Sequence, residues 1–115
     1  MLEETPTSNM ETIHAFRMQL LPGRKTEYKR RHDAIWPELE QALREANIVE
    51  YHIFLDEETN ALFAFQRIKD PDLTAALPAL PIMRRWWDYM ADIMETNPDH
   101  SPVVKPLVGV FEMKG

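Results

Sequence analysis

Cysteine is absent from the 115-residue chain, and glycine is scarce. Without cysteine the chain can form no disulfide and has no thiolate nucleophile or ligand, which fits a reducing cytoplasm. The three glycines, Gly23, Gly109 and Gly115, are too few and too scattered to build a Gly-rich phosphate-binding loop. These absences exclude thiol chemistry and that kind of nucleotide site, and we expect a cytoplasmic protein.

Basic charge and long apolar runs are scarce as well. The formal net charge is -6 and the pI is near 5.2, which disfavours nucleic acid and anionic membranes as partners. No apolar run approaches the roughly 20 residues of a membrane span. The histidines stand singly, at positions 14, 32, 52 and 100, without metal-ligand spacing. We therefore expect no metal, cofactor, nucleic-acid partner or membrane partner, which leaves cofactor-free acid–base chemistry or plain binding.

The amino terminus differs in composition from the rest of the chain. Residues 1–10 are mostly polar, contain a proline and lack the basic-then-apolar order of a signal peptide. We predict a flexible leader over 1–10. The remaining residues, 11–115, are enough for a single domain with one core.

The spacing of apolar residues predicts alternating strands and helices. A long helical pattern is interrupted at Pro37, because proline removes a backbone donor and pushes Trp36 out of helical dihedrals. Asp70 is the expected N-cap of a short helix, and Asn47 is the expected stop of the long one. The predicted order is strand 11–21, helix 24–46, strand 50–56, strand 61–68, short helix 73–80, helix 82–94 and strand 103–113. This βαββαβ order predicts an α+β, ferredoxin-like fold.

Such a fold covers one face of its sheet with helices and leaves the other face bare. The bare face carries either Tyr51, Ile53 and Leu55 or the residues that alternate with them, His52 and Phe54. A large apolar open face usually meets a partner. We therefore predict a homodimer in which two sheets pack face to face.

One helical stripe carries two polar side chains among its apolar residues. Tyr28, His32, Ile35 and Leu39 recur at helical spacing and point toward the core, whereas Lys29, Arg30 and Asp33 point to water. Buried polar groups need partners or a polar cavity, so this helix is expected to face a pocket. An unperturbed histidine titrates near neutral pH, so His32 is the candidate acid–base group. On the sequence alone, a core histidine bonded to a backbone carbonyl is the commoner explanation of the pattern.

Three more aromatic residues are candidates for ligand contact. Trp86 and Trp87 are adjacent on a predicted helix, so their indoles point about 100° apart and can stack on a sugar ring or merely pack. Tyr51 lies near the start of a strand and could face the same cavity, or be an ordinary strand aromatic. The basic residues Lys29, Arg30-Arg31 and Arg84-Arg85 could attract an anionic substrate, but we interpret them as solvated helix faces balanced by the excess of Asp and Glu.

Four motifs together resemble the L-rhamnose mutarotase family, and the likeness runs from Ile13 to Phe111. In chain order the motifs are Tyr28-x-x-Arg31-His32-x-x-Ile35-Trp36-Pro37-Glu38-Leu39, Tyr51-x-Ile53-x-Leu55-Asp56, Arg85-Trp86-Trp87-x-Tyr89-Met90 and Asn97-Pro98-Asp99-x-Ser101-Pro102.

The resemblance implies a dimeric α/β barrel that interconverts the α and β anomers of L-rhamnose. By position in the motifs, it implies that His32 is the proton donor and that Tyr28, Tyr51, Trp86 and Trp87 contact the substrate. Two other classes remain open on this scaffold, which are a non-catalytic ligand-binding module and a cofactor-independent monooxygenase.

Overall fold

A four-stranded antiparallel sheet with helices on one face forms the domain. The computed structural model describes residues 10–113, so residues 1–9 of the leader predicted over 1–10 lie outside the described residues. The elements are β1 (Glu11–Gln19), α1 (Lys25–Asp33), α2 (Pro37–Glu45), β2 (Ile48–Asp56), β3 (Ala61–Lys69), a 3-10 helix (Thr74–Ala79), α3 (Pro81–Met90) and β4 (Lys105–Pro106).

The strand order across the sheet is β2-β3-β1-β4, with each neighbouring pair antiparallel. This is the order expected of a ferredoxin-like fold, so the predicted fold class is confirmed. Within residues 10–113, no helix combines the length and the apolar character needed to cross a bilayer.

The predicted interruption of the first helix is present and has the expected cause. Trp36 adopts an extended conformation and Pro37 opens α2, so the helical pattern divides into α1 and α2. At the end of α2, Asn47 has a φ of 73°, the left-handed conformation that asparagine tolerates better than most residues. The helix stop predicted at Asn47 is therefore confirmed.

The register of the strands decides which side chains face the helices. Tyr51, Ile53 and Leu55 of β2 lie opposite Gln66, Ala64 and Leu62 of β3, respectively. Those three β3 residues are buried, and residues directly opposite in an antiparallel pair share a face.

The open face therefore carries the alternate set of β2 residues, His52 and Phe54. Phe63 and Ile13 lie on the same face, and Phe54 exposes 64% of its surface.

Three predicted boundaries were wrong. The last strand does not extend over 103–113: β4 covers Lys105–Pro106, and one further backbone bond, from the N–H of Leu107 to the carbonyl oxygen of Ala15, follows it. Val108, Val110 and Phe111 lie outside the sheet and are largely exposed.

The other two corrections concern helix ends. The carboxylate of Asp72, not Asp70, accepts the N–H of Thr74 at the start of the 3-10 helix. The final helix, α3, ends at Met90 rather than near Met94, because the chain turns there and Met94 forms an isolated bridge with Leu20 of the segment after β1.

Candidate active site

A cavity of about 790 Å³ lies between the helices and the covered face of the sheet. This volume is within the range of pockets that hold small molecules. All five residues predicted to form the site line this cavity: Tyr28, His32, Tyr51, Trp86 and Trp87. The structure therefore brings together side chains from α1, β2 and α3 that are as much as 59 positions apart in the chain.

The imidazole of His32 is held in one orientation by its own helix. Its Nδ1 atom lies 3.1 Å from the carbonyl oxygen of Tyr28, one turn earlier in α1. A carbonyl can only accept a hydrogen bond, so Nδ1 donates its hydrogen and the neutral ring carries its lone pair on Nε2. The ring also stacks on that of Tyr28, with 4.3 Å between centroids.

Burial determines the charge of His32. Desolvation lowers its pKa below the ordinary value of 6.5, against a smaller opposing effect from the bond to the Tyr28 carbonyl. The residue is therefore mainly neutral at neutral pH, with Nε2 able to accept a proton.

The two tyrosines of the site are kept neutral by the same effect. Desolvation raises the pKa of Tyr51 to about 12 and that of Tyr28 further. Although Tyr51 exposes 36% of its surface, its hydroxyl end is desolvated. The neighbouring Tyr51 phenol adds a smaller upward effect to the pKa of Tyr28, because two negative charges in one cavity would repel each other. Both hydroxyls are therefore hydrogen-bonding groups rather than anions at physiological pH.

The tryptophan pair differs in burial but shares the cavity. Trp86 is buried and meets the His32 ring edge-on at 5.4 Å, whereas Trp87 is half-buried. Trp36, at the junction of α1 and α2, packs edge-on against Trp86 at 5.1 Å. Aromatic contacts of this kind fix the position of the Trp86 indole beside the imidazole.

Arg31 was interpreted as a solvated residue, and this was wrong. The side chain is buried and donates to the carbonyl oxygen of Tyr89 at 2.7 Å and to the carboxylate of Asp92 at 2.9 Å. It also bonds Glu27 on its own helix. These bonds join α1 to the carboxyl end of α3, where a cation is favoured by the helix dipole. Arg31 thus links the helix that carries His32 to the helix that carries Trp86.

Gln66 is a cavity-lining residue that the sequence reasoning missed. Its side chain is buried on the covered face of β3 and faces the hydroxyl of Tyr51, opposing the rise in that group's pKa. Gln66 is an even number of positions from Leu62, Ala64 and Ile68, so the alternation of side chains along a strand could have placed it on their buried face.

The arrangement suits a small neutral polyol. One neutral imidazole can exchange a proton, phenols and an amide can bind hydroxyls, and indoles can cover the apolar parts of a ring. In the part of the chain covered by residues 10–113, no three His, Asp or Glu side chains cluster so that they could hold a metal ion.

Comparison with known proteins agrees with this chemistry. The model of the L-rhamnose mutarotase family matches residues 13–113. The chain belongs to the L-rhamnose mutarotase family. It is similar to the L-rhamnose mutarotase of Agrobacterium fabrum, with 54% identity over 87% of this chain and 94% of the relative. Identity to the L-rhamnose mutarotase of Burkholderia orbicola is 55%, covering 91% and 100% of the two chains. The predicted resemblance is confirmed.

Solved structures give the same family and the same scaffold. The crystal structure of a family member, L-rhamnose mutarotase FA22100 from Formosa agariphila, superposes with a TM-score of 0.83 at 50% identity, covering 90% of this chain and 99% of that one. A second solved structure, of a protein from Nitrosomonas europaea that carries the name antibiotic biosynthesis monooxygenase, superposes with a TM-score of 0.59 at 14% identity, covering 92% of this chain and 96% of that one. The second likeness shows a shared fold only.

Proposed function

We propose that this chain is an L-rhamnose mutarotase that interconverts the α and β anomers of L-rhamnose by opening and reclosing the sugar ring. The observation that carries the proposal is the position of His32, with one nitrogen bonded to its own helix and the other free, in a cavity lined by tyrosine and tryptophan. Family membership supports the choice of sugar.

The reaction moves one proton between two oxygens that are bonded to the same carbon. Ring opening removes the proton of the anomeric hydroxyl, forms the aldehyde, breaks the bond from the anomeric carbon to the ring oxygen, and leaves a proton on that oxygen. Neutral His32 takes the first proton at Nε2 and the imidazolium that forms donates it to the ring oxygen. His32 is thus the proton donor, as the resemblance implies, and it also serves as the base.

Reclosure reverses these transfers after the aldehyde group has rotated, which gives the other anomer. His32 returns to its neutral form, so each turnover leaves the enzyme unchanged and consumes no proton. A lowered pKa makes the imidazolium a stronger acid toward the weakly basic ring oxygen.

The other four residues bind and orient the sugar. Tyr28 and Tyr51, kept neutral by burial, form hydrogen bonds with sugar hydroxyls. Trp86 and Trp87 cover the apolar side of the ring, including the methyl group of a 6-deoxy sugar. Holding the substrate in one orientation next to the imidazole contributes to the rate together with proton transfer.

The active unit in this proposal is a cytoplasmic homodimer. Phe54 and Phe63 are exposed on the open face of the sheet, and Val108, Val110 and Phe111 are each more than 80% exposed in the carboxyl-terminal segment. Apolar surface of this extent is typical of an interface, and a second copy of the chain supplies a matching face.

The experiment that tests the proposal is saturation-difference NMR on the anomeric protons of L-rhamnose, with L-fucose and D-glucose as comparison sugars. We expect exchange between the two anomers of L-rhamnose well above the uncatalysed rate, and weaker exchange for D-glucose, which lacks the 6-methyl group. Quenching of tryptophan fluorescence by the sugar without any exchange would instead identify a ligand-binding module, and oxygen uptake with an aromatic substrate would identify a monooxygenase.

A further inference from the structure

Gln66 is a buried polar residue in an otherwise apolar part of the sheet. It is 9% exposed, and its neighbours on the same face of β3, Ala64 and Ile68, are at 2% and 1%. Its side chain lines the same cavity as His32 and the two tyrosines. Directly across the strand pair lies Tyr51.

The hydrogen-bonding capacity of this amide exceeds what the protein offers it. A glutamine side chain has two N–H donors and a carbonyl oxygen with two lone pairs. In the described residues, 10–113, the Tyr51 hydroxyl is a hydrogen-bonding neighbour of this side chain, and a single hydroxyl cannot pair all of its donors and lone pairs. Leaving the remaining donors and the oxygen unpaired in a buried place costs free energy. Packing alone would favour an apolar residue of the same length.

We infer that Gln66 is a substrate-binding residue whose side-chain amide, paired with the Tyr51 hydroxyl, binds a ring hydroxyl of the sugar and selects for sugars that carry it. The inference rests on the proposed function for the identity of the sugar. The cavity supplies the place for that hydroxyl, because Gln66 and Tyr51 both line it from neighbouring strands.

A site that is built to bind a hydroxyl rejects an analogue without it, since the buried amide is then left unpaired. Gln66 therefore contributes to specificity more than to the chemical step. Its removal should weaken binding of the sugar that carries the hydroxyl and should leave the proton transfer by His32 intact.

The test compares the wild type with Gln66→Met, which keeps the length of the side chain and removes its hydrogen bonds. Gln41→Met is the matched control, because Gln41 is exposed on α2 and bonds Glu45 on the surface of the same helix. Each protein is titrated with L-rhamnose and with its 2-deoxy, 3-deoxy and 4-deoxy analogues, with quenching of tryptophan fluorescence as the binding signal and NMR exchange as the activity signal. Thermal unfolding is recorded for all three proteins.

We expect Gln66→Met to weaken binding of L-rhamnose and to lower exchange at low sugar concentration roughly 10-fold, with a melting temperature equal to or above that of the wild type. One of the three deoxy analogues should bind equally well to the wild type and to Gln66→Met, because that analogue lacks the hydroxyl that Gln66 contacts. Gln41→Met should match the wild type throughout.

Two results would overturn the inference. One is unchanged binding of L-rhamnose by Gln66→Met, and the other is an equal loss for L-rhamnose and for every deoxy analogue, which would assign Gln66 a purely structural role. Both results differ from a failure of the proposed function. That failure would appear as an absence of anomer exchange in the wild type, whereas the fluorescence titration measures sugar binding whether or not the sugar is turned over.

Discussion

The Nδ1 atom of His32 lies 3.1 Å from the carbonyl oxygen of Tyr28, so the helix that carries the imidazole also fixes its tautomer. The bond is local, running from position i to position i−4 within α1, and it needs no second element to form. Burial then lowers the pKa of His32 and keeps the free nitrogen unprotonated at neutral pH. Orientation and charge state of the proposed catalytic group thus have separate causes, one local and one tertiary.

Replacing His32 with glutamine should abolish most of the anomer exchange. Glutamine can still donate to the Tyr28 carbonyl and fill part of the space, but it cannot carry a proton at neutral pH. We expect a fall of roughly 10²–10⁴-fold in the exchange rate measured by NMR, with sugar binding by fluorescence largely retained.

The matched control for this variant is His100→Asn. His100 is exposed, lies in the loop after α3 and has a φ of 71°, a conformation that asparagine tolerates. This variant should keep wild-type exchange. If His32→Gln exchanged the anomers at the wild-type rate, His32 would not be the proton-transfer group.

The pH dependence of exchange should report the lowered pKa of His32. Because the neutral imidazole starts the reaction, the rate should be constant near pH 7 and above, and it should fall by about tenfold per pH unit below the pKa of His32, which is less than 6.5. The rate is measured by NMR after subtraction of the uncatalysed rate in the same buffer. A rate that instead rises on acidification through this range would mean that the protonated form starts the reaction.

The same shift predicts how stability responds to pH. The unfolded chain binds a proton at His32 more tightly than the folded chain, so stability should fall as the pH drops from 6.5 through the lower folded-state pKa. His32→Gln should lose this part of the dependence. Hydrogen bonds lower the pKa values of the Glu27 and Asp99 carboxyls to about 2, so these groups change the stability only at more acidic pH.

Arg31→Met should destabilise the domain and reduce activity together. The substitution removes the bonds from α1 to Tyr89 and Asp92, so the position of His32 relative to Trp86 is no longer fixed. We expect a melting temperature lower by roughly 5 °C and a loss of exchange at every sugar concentration.

Arg30→Met is the control for that variant. Arg30 lies next to Arg31 and bonds the same Glu27, but its side chain is exposed. Surface pairs contribute little, so its melting temperature should be nearly unchanged. Equal effects of the two variants would show that the link between α1 and α3 is not what holds the site.

Phe54→Asp should dissociate the proposed homodimer. It places a charge on the open face of the sheet, at a position that exposes 64% of its surface in the single chain. Light scattering coupled to size-exclusion chromatography should give the mass of a dimer for the wild type and that of a monomer for the variant. Thr26→Asp adds the same charge in the first turn of α1, where it is favoured, and should remain a dimer. A monomeric wild type would refute the assembly while leaving the single-chain site unaffected.

Local spacing in the sequence determined much of this protein. The break at Pro37, the stop at Asn47 and the hairpin of β2 and β3 follow from dihedral preferences and turn chemistry that need no distant contact. The same is true of Tyr28 and His32, since residues four apart share one face of any helix. The motifs that carry the family resemblance are of the same local kind, and the five residues that they single out as site candidates line the cavity.

Only the tertiary structure decided which side of the sheet became the site. Both faces of β2 carry large apolar residues, so alternation alone could not tell whether Tyr51 or Phe54 would meet the helices, and strand register settled it. The burial of Arg31 was also decided by tertiary contacts, because a charged side chain on a helix looks solvated until its distant partners are known. The extent of the last strand was decided in the same way. Apolar composition favours a strand over 103–113, but a strand also needs a neighbour to pair with, and the bonds of this segment to β1 go no further than the N–H of Leu107.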